Sequence, residues 1–290
     1  MDLSALAGAH PAIDFADAVV VESGWDFVVV DTGAWVFRVP RREPVAAALK
    51  VERLLLALLA PRLPVRVPEM SVHTLYPTTT LTRGRGDPEE TRGTTYGLYP
   101  RLPGEPSGCE DAEPIAADVA RLLTALHAVD PLDALVIGLA APGKLDLDAL
   151  AQRATAEVVP LLPWEAVSAL REAFATLREA PEREAVVHAD LGEANLLVCQ
   201  GRLTAVIDWT DAHVGDPAQD LSWFVQCLGP EGARAAFAAY EPPAGTDVDT
   251  LWRRAVAYAT VQPVHAVLYG LDRDDASYVR KQLSRLVPVR

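Results

Sequence analysis

Asp190, Asn195 and Asp208 place three oxygen-bearing side chains at the ends of short apolar segments. Because apolar runs flank all three, a buried hairpin would present these side chains together. Two carboxylates and a carboxamide are hard oxygen ligands of the kind that Mg²⁺ prefers, and Mg²⁺ bridges phosphate oxygens. Phosphoryl transfer needs such a metal ion and a group that orients the attacking hydroxyl. This set of residues therefore indicates phosphoryl-transfer chemistry.

A purely structural explanation of the same residues is the alternative. Buried Asp and Asn side chains often only satisfy a turn, and His188-Ala189-Asp190 is a common kind of pair. The full spacing H-x-D-x4-N is expected by chance about once in a hundred chains of this composition. The strand end Val206-Ile207-Asp208 makes the combination rarer still. We therefore interpret Asp190 and Asp208 as functional, and we expect His188 to orient the loop rather than carry a proton.

Composition excludes several classes of protein. The 290 residues include 26 basic and 40 acidic side chains, which give a formal charge of −14. Such a charge disfavours nucleic acid as a partner and favours a small cationic ligand. Cys109, Cys199 and Cys227 are far apart and form no CxxC pair, so we expect no disulfide framework and a reducing, cytoplasmic setting. The apolar run 54–60 is too short to span a bilayer, and the basic region of a signal peptide is lacking, so we expect no membrane association.

The elements that must position these residues change in type along the chain. Strands are predicted at 13–22, 25–31, 34–40, 67–76 and 95–99, and one helix at 45–61. In the third strand Trp35, Phe37 and Val39 alternate with Val36 and Arg38. Past the Pro/Gly-rich segment 100–106, helices are predicted at 114–129, 147–159, 163–179, 220–227, 231–240 and 250–271. A strand-rich island at 185–209 interrupts them.

The motifs HADLGEANLLV, AVIDW and GDPAQDL, in that order, resemble the aminoglycoside phosphotransferase family. WVFRVPRR, VIDWTDAHVGDPAQDL and the tail YGLDRDDASYVRKQL are most similar to its macrolide 2′-phosphotransferases. The resemblance covers nearly the whole chain. It implies an α+β, bilobal protein-kinase-like fold, with a β-rich N-terminal lobe at 1–99 for nucleotide and a helical C-terminal lobe at 100–290 for catalysis and substrate. The hinge would lie at about 99–104.

The resemblance also implies roles for single residues. Asp190 would accept or orient the substrate hydroxyl, and Asn195 and Asp208 would bind Mg²⁺. Asp220 would brace the catalytic loop through backbone amides. Gly24 would form the turn that covers the nucleotide phosphates, with an ordinary hairpin turn as the equal alternative.

Two features depart from the family pattern. Arg38 stands where a phosphate-holding lysine is expected, and an arginine can hold two phosphate oxygens at once. Glu52 is its expected partner on the following helix, and the alternative is an ordinary surface ion pair. The Thr-rich, charged segment 78–93 is larger than the connection expected there, and we assign it no role.

Four further residues are expected around the purine of the nucleotide. Pro100 and Leu102 would offer backbone groups to the purine edge. Tyr99 would occupy the back of the pocket and push the purine outward, and Ile207 would form its floor, with a core role as the equal alternative. The macrolide enzymes that this chain resembles prefer GTP, so we expect GTP as donor, with ATP as the alternative.

The acceptor pocket must come from the helical half. The segment 250–271 contains no acidic residue, whereas a polycationic aminoglycoside would need several carboxylates. A large lactone with one amino sugar needs a broad apolar wall, and four side chains could build it: Trp223, Tyr258, His265 and Tyr269. Asp211 with Asp190 could meet the dimethylammonium beside the 2′-hydroxyl. For the four aromatic side chains, plain core packing is the alternative.

These observations predict a phosphotransferase that moves the γ-phosphoryl of GTP to the 2′-hydroxyl of a macrolide amino sugar, with Mg²⁺ as cofactor, and so inactivates the antibiotic. One alternative is a kinase of another small alcohol, such as an aminoglycoside or choline. A non-catalytic nucleotide-binding protein and a Mg²⁺ phosphohydrolase are the others. We expect a monomer.

Overall fold

A computed structural model describes residues 3–286 except 23, 25, 77–92, 141–146 and 193. The segment 78–93, to which no role was assigned, therefore lies almost wholly outside the described residues. Within the described part, no helix is both long enough and apolar enough to cross a membrane.

An antiparallel five-stranded sheet forms the first part of the fold, with the strand order β1-β2-β3-β5-β4. Its strands are β1 (Val19–Val21), β2 (Phe27–Asp31), β3 (Trp35–Pro40), β4 (Ser71–Leu75) and β5 (Thr94–Pro100). A short helix, α1 (Ser4–Ala9), packs on one face, and a long helix, α2 (Glu43–Leu59), packs on the other. The sheet therefore has one helix on each face.

Strand β3 carries different side chains to the two faces of this sheet. Phe37 packs with Leu6 and Tyr96 in a small outer core, whereas Val36 belongs to the main core on the side of α2. Arg38 shares the face of Val36, as alternation along a strand requires. The alternation predicted for this strand is confirmed, and it turns Arg38 toward α2.

Helix α2 is built mainly from Ala and Leu, which are strong helix formers, and it has a proline in its first turn. Its buried face contains Leu49, Leu55, Leu56 and Leu59. Glu52 lies on the same face, one turn from Leu49 and from Leu56, and is 3% exposed. A carboxylate on the apolar face of a helix needs a partner, and Arg38 supplies one.

The second part of the fold is mainly helical. Its helices are α3 (Ala112–His127), α4 (Pro131–Val136), α5 (Leu147–Arg153), α6 (Trp164–Arg178), α7 (Ala218–Phe237), α8 (Val248–Asp272) and α9 (Ala276–Leu286). Its strands are β6 (Glu105–Pro106), β7 (Ala185–Val187), β8 (Leu196–Cys199), β9 (Arg202–Val206) and β10 (His213–Gly215). Strands β8 and β9 form the expected hairpin, with β6 at its edge, and β7 pairs with β10.

Several predicted element boundaries are wrong. The strand expected at 13–22 is only Val19–Val21, because its residues lie at an exposed sheet edge. By contrast, the two helices expected at 220–227 and 231–240 are confirmed as the two parts of α7, which are separated by a kink at Gly229, whose φ is +66°. The helix expected at 147–159 ends at Arg153 and continues as a wider π turn through 158. Helices α1, α4 and α9 and strand β10 were not predicted.

The expectation of no disulfide is also wrong. Cys109 and Cys227 form a disulfide with a Cα–Cα distance of 4.7 Å. They are 118 residues apart in the sequence, but the short turn Cys109–Asp111 packs against α7 and brings the two thiols together. The bond joins the segment after β6 to α7, and Cys199 is free and exposed.

Candidate active site

The loop between β7 and β8 carries Asp190, and Asp220 of α7 holds this loop by hydrogen bonds. Asp220, in the first turn of α7, accepts hydrogen bonds from the backbone N–H of His188 (2.9 Å) and of Ala189 (2.8 Å). Its Oδ2 also lies 3.1 Å from His127 Nε2, and the hydroxyl of Tyr240 lies 2.7 Å from His127 Nδ1. Burial alone would raise the pKa of Asp220, but the bonds from His127 and the His188 amide outweigh it and lower the pKa.

This brace fixes the loop in a conformation that residues with a side chain rarely adopt. Ala189 has a φ of +69°, in the left-handed region that costs a non-glycine residue free energy. Asp220 accepts from the N–H of Ala189, which precedes this φ angle, and Gln219 Nε2 donates to the carbonyl oxygen of Ala189, which follows it, at 3.2 Å. Side chains of α7 thus hold the loop on both sides of Ala189, just before Asp190.

His188 connects the loop to the end of β9. Its Nε2 lies 3.0 Å from the carbonyl oxygen of Ile207, and its Nδ1 accepts a hydrogen bond from the N–H of Asp190 at 3.3 Å. Because a carbonyl oxygen can only accept, Nε2 carries the proton in this arrangement. The ring packs edge-on against Trp209, with 4.6 Å between centroids. With both nitrogens occupied in this way, His188 is suited to orient the loop, as expected.

A second link holds Asn195 next to Asp190. The side-chain amide of Asn195 donates to the backbone oxygen of Asp190 (2.8 Å) and to its carboxylate (2.9 Å). Its backbone oxygen accepts from the N–H of Ile207 at 3.0 Å. The amide nitrogen is therefore committed to Asp190, which leaves the carbonyl oxygen Oδ1 as the group that could bind a cation.

Asp208 follows β9 with a φ of +59° and a side chain that is 44% exposed. Its Oδ1 accepts from Arg38 Nη2 (2.6 Å) and from the hydroxyl of Thr210 (2.9 Å). Among the described residues Oδ2 has no hydrogen-bond donor. Asp208 Oδ2 and Asn195 Oδ1 are thus a carboxylate and a carboxamide oxygen without competing donors, and this donor set fits Mg²⁺.

Arg38 joins the first part of the fold to this site. Its Nη1 arm donates to Glu52, and its Nη2 arm donates to Asp208 and to Thr210, each at 2.6 Å. The side chains of Arg38 and Glu52 are only 5% and 3% exposed, so this is not a surface ion pair. Burial alone would lower the pKa of Arg38, but the carboxylates of Glu52 and Asp208 outweigh burial and raise it.

Asp190 lies in a negatively charged environment. Its pKa is raised to about 6, first by burial and then by the neighbouring carboxylates of Asp211 and Asp208. The pKa of Asp211 is raised for the same reasons. A half-buried carboxylate with a pKa near the physiological range can accept a proton from a bound hydroxyl. Acidic side chains close together also attract a cationic group on the molecule that carries this hydroxyl.

With this geometry established, comparison with known proteins identifies the family. Residues 17–255 match the model of a family described as the phosphotransferase enzyme family. The chain belongs to this family. Phosphotransferases of this type are kinases of small molecules.

Individual relatives cover almost the whole phosphotransferase. The uncharacterized protein YcbJ of Bacillus subtilis (strain 168) is 25% identical over 93% of this chain and 90% of its own. The apoenzyme structure of macrolide 2′-phosphotransferase MphH from Brachybacterium faecium is 29% identical over 98% of this chain and 97% of its own, with a TM-score of 0.66. The GDP and kanamycin complex of APH(2″)-IIIa is 22% identical over 98% and 97%, with a TM-score of 0.78. The predicted α+β, kinase-like fold is confirmed.

The residues expected around the nucleotide differ in exposure. Gly24 lies between β1 and β2, and a Cβ atom there would lie 2.9 Å from the carbonyl oxygen of Phe27. Tyr99 is 5% exposed, and burial raises its pKa to about 12. Pro100 ends β5 and is exposed, whereas Leu102 is half-buried just beyond it. Ile207 is half-buried beside His188, whose ring binds its carbonyl oxygen.

The four aromatic residues expected in the acceptor pocket of the phosphotransferase are dispersed. Trp223 is 3% exposed and packs against Phe224 in the core. Tyr258 is half-buried and packs against both large cores, and His265 is exposed on the same helix. Tyr269 packs against Tyr278 of α9 and lies about 16 Å from Tyr258 along α8, at 1.5 Å per residue. Trp223 therefore occupies a position that core packing alone explains, and Tyr258 and Tyr269 lie about three turns apart along α8.

Three residues of the site were not found from the sequence. Thr210 follows Asp208 by two positions and binds both Arg38 and Asp208. His127 and Tyr240 support Asp220 from two other segments. The signal for His127 was available, since it is a polar residue on the apolar face of α3 and is 3% exposed. Nothing local to Tyr240 indicates its role, because its partner is 113 residues away.

Proposed function

We propose that this phosphotransferase transfers the γ-phosphoryl group of GTP to the 2′-hydroxyl of the amino sugar of a macrolide antibiotic. The observation that carries the proposal is the joint placement of Asp190, Asn195 and Asp208. His188 and Asn195 connect the loop of Asp190 to the strand end of Asp208 by two hydrogen bonds with the backbone of Ile207. A base for the attacking hydroxyl and oxygen ligands for Mg²⁺ are thus held in one place, as phosphoryl transfer requires.

Each residue then has a definite task. The Asp190 carboxylate accepts a hydrogen bond from the acceptor hydroxyl, orients it toward the phosphorus and takes its proton. Asp208 Oδ2 and Asn195 Oδ1 would hold Mg²⁺, which supplies positive charge to the phosphate oxygens when bound. Arg38, positioned by Glu52, would bring a fixed positive charge to the phosphates.

The charge around Asp190 supports an acceptor with a single amine. Burial raises the pKa values of Asp190 and Asp211, and neighbouring carboxylates raise them further, with Asp208 acting on both. An ammonium group next to the reacting hydroxyl would relieve this repulsion. A macrolide amino sugar has this arrangement, and the extensive likeness to the macrolide 2′-phosphotransferase MphH supports the same class.

For the donor, two arguments favour GTP. Tyr99 fills the end of β5 with a buried ring, which leaves less depth for a purine. APH(2″)-IIIa, which has the same fold, was solved with GDP. Gly24, Pro100, Leu102 and Ile207 would complete the nucleotide pocket, and ATP is the alternative donor.

The experiment is mass spectrometry of erythromycin incubated with the protein, Mg²⁺ and either GTP or ATP. The expected product is a monophosphorylated macrolide formed faster with GTP. Asp190→Asn, which keeps the size and one acceptor oxygen of the side chain, should form almost none, whereas Asp17→Asn, on an exposed turn, should match the wild type. An absence of phosphorylation on any macrolide would refute the proposal.

A second acceptor class is included in the same assay. The likeness to the kanamycin complex of APH(2″)-IIIa motivates parallel reactions with kanamycin and other aminoglycosides. Turnover of these compounds without turnover of macrolides would assign the enzyme to the aminoglycoside class. Release of inorganic phosphate at the full rate without any acceptor would instead indicate a phosphohydrolase.

A further inference from the structure

Thr210 contributes a hydroxyl to the network formed by Arg38, Glu52 and Asp208, and its hydrogen bonds fix the direction of its proton. Its Oγ1 accepts from Arg38 Nη2 at 2.6 Å. Since the single hydroxyl proton must then point elsewhere, it goes to Asp208 Oδ1 at 2.9 Å, with Glu52 Oε2 more distant at 3.5 Å. Arg38, Thr210 and Asp208 therefore form a closed ring of three hydrogen bonds.

The hydrogens of the Arg38 guanidinium account for the bonds of this ring. Nη2 carries two hydrogens and donates one to Asp208 and the other to Thr210, while Nη1 donates a hydrogen to Glu52. Without the threonine hydroxyl, one hydrogen of a guanidinium that is 5% exposed would lose its acceptor. An unsatisfied buried donor is costly, so the side chain would shift to find another partner.

The ring also fixes the carboxylate of Asp208. Its Oδ1 receives two hydrogen bonds from different directions, one from Arg38 and one from Thr210, and these two bonds resist rotation of the carboxylate plane. The other oxygen, Oδ2, is consequently held in one direction. Asp208 otherwise has considerable freedom, because its side chain is 44% exposed.

We propose that Thr210 is a positioning residue for Mg²⁺-nucleotide binding, which it serves by orienting the Asp208 carboxylate and the Nη2 arm of Arg38. This inference rests on the proposed function in so far as Asp208 is a Mg²⁺ ligand. Thr210 itself touches neither metal nor nucleotide in this role. Its contribution is to remove alternative orientations of the two groups before the ligand arrives.

The test uses Thr210→Val, which keeps the shape of the side chain and removes the hydroxyl, and Thr210→Ser, which keeps the hydroxyl and removes the methyl. Binding of a fluorescent guanine or adenine nucleoside diphosphate is titrated at Mg²⁺ concentrations from zero (with EDTA) to saturation, without any acceptor. For Thr210→Val we expect the Mg²⁺ concentration at half-maximal binding to rise about five- to tenfold, the effect of one lost hydrogen bond to a charged group. Thr210→Ser should stay within about twofold of the wild type.

The controls separate positioning from folding and from the proposed function. In EDTA the loss of nucleotide affinity in Thr210→Val should be smaller than with Mg²⁺, because only the Arg38 arm then contributes, and the thermal unfolding of the two proteins should agree within a few degrees. An unchanged Mg²⁺ midpoint in Thr210→Val, or an equal loss in Thr210→Ser, would overturn this inference alone. So would weaker binding by Thr210→Val that is the same with and without Mg²⁺. If the wild type binds neither nucleotide in a Mg²⁺-dependent manner, the proposed function fails with it.

Discussion

Asp190→Asn should stabilise the protein while it abolishes catalysis. The wild-type carboxylate is half-buried, and the pKa is raised from 3.8 to about 6 by burial and by Asp211 and Asp208. A raised pKa means that the ionised form is less favourable in the folded protein than in the unfolded chain. An uncharged asparagine escapes this penalty and can still accept the hydrogen bond from Asn195.

The size and the pH dependence of the effect follow from the two pKa values. Below about pH 3.8 the group is protonated in both states and costs nothing, whereas above about pH 6 the full penalty applies. A difference of about two pKa units corresponds to about 3 kcal/mol of unfolding free energy at pH 8. At pH 5 the same relation gives about half of that value. Both figures are upper values, since part of the carboxylate meets water.

The assay is urea denaturation followed by tryptophan fluorescence, in EDTA and without nucleotide, at pH 5 and pH 8. Asp190→Asn should unfold at higher urea than the wild type, and its advantage should be larger at pH 8. The control variant Asp17→Asn alters an exposed carboxylate and should give no difference at either pH. In the presence of nucleotide and acceptor, the Asp190→Asn kcat should fall by about 10²–10⁴-fold.

Two outcomes would refute this reasoning. If Asp190→Asn is no more stable than the wild type at pH 8, the carboxylate is not held in an unfavourable environment. If its gain is the same at pH 5 and pH 8, the stabilisation has another origin than the charge of Asp190.

Three further predictions concern Arg38, the two aspartates of the site and the disulfide. Arg38→Lys should lower the free energy of unfolding by about 1–3 kcal/mol in urea denaturation, because one ammonium cannot bind Glu52 and Asp208 through two separate arms. The control Arg101→Lys alters a more exposed ion pair with Asp31 and should change the free energy of unfolding by less than about 1 kcal/mol. Equal losses in the two variants would contradict the role of the two guanidinium arms. Asp208→Ala should weaken Mg²⁺-dependent nucleotide binding in a fluorescence titration, whereas Asp190→Ala should leave it nearly unchanged, and equal mild losses would contradict the assigned roles. Reduction of the Cys109–Cys227 bond should lower the free energy of unfolding by about 2–5 kcal/mol, because the bond closes a long loop. The measurement is urea denaturation with and without reductant. Cys109→Ser should have the stability of the reduced protein, and reductant should not change it.

The sequence was most informative where a functional group and its partners are local or where burial follows a simple period. The spacing from His188 to Asp208 predicted one hairpin with its polar residues together. In the structure the carbonyl oxygen of Ile207 binds His188, and its N–H donates to the backbone oxygen of Asn195. The family resemblance predicted Glu52 as the partner of Arg38, and the two side chains form a buried ion pair.

Contacts between distant segments were beyond such reasoning. Cys109 and Cys227 pair across 118 residues, and β10 pairs with β7 through His213 and Val187. Neither contact leaves a local periodic signal, because each depends on how whole helices pack.

The contrast between Asp220 and Asp190 explains how the fold can contain an unfavourable catalytic group. Asp220 is completely buried, yet it receives hydrogen bonds from His127 and from the amides of His188 and Ala189, so its pKa is lowered. The carboxylate of Asp190 is less buried, but among the described residues it accepts a hydrogen bond only from the side-chain amide of Asn195, and its pKa is raised. The number of donors, more than the depth of burial, decides the sign of each shift. Asp220 thus contributes stability at neutral pH and, together with Gln219, holds the backbone of Ala189 at its strained φ. This rigid support holds Asp190 in a place where its charge is unfavourable.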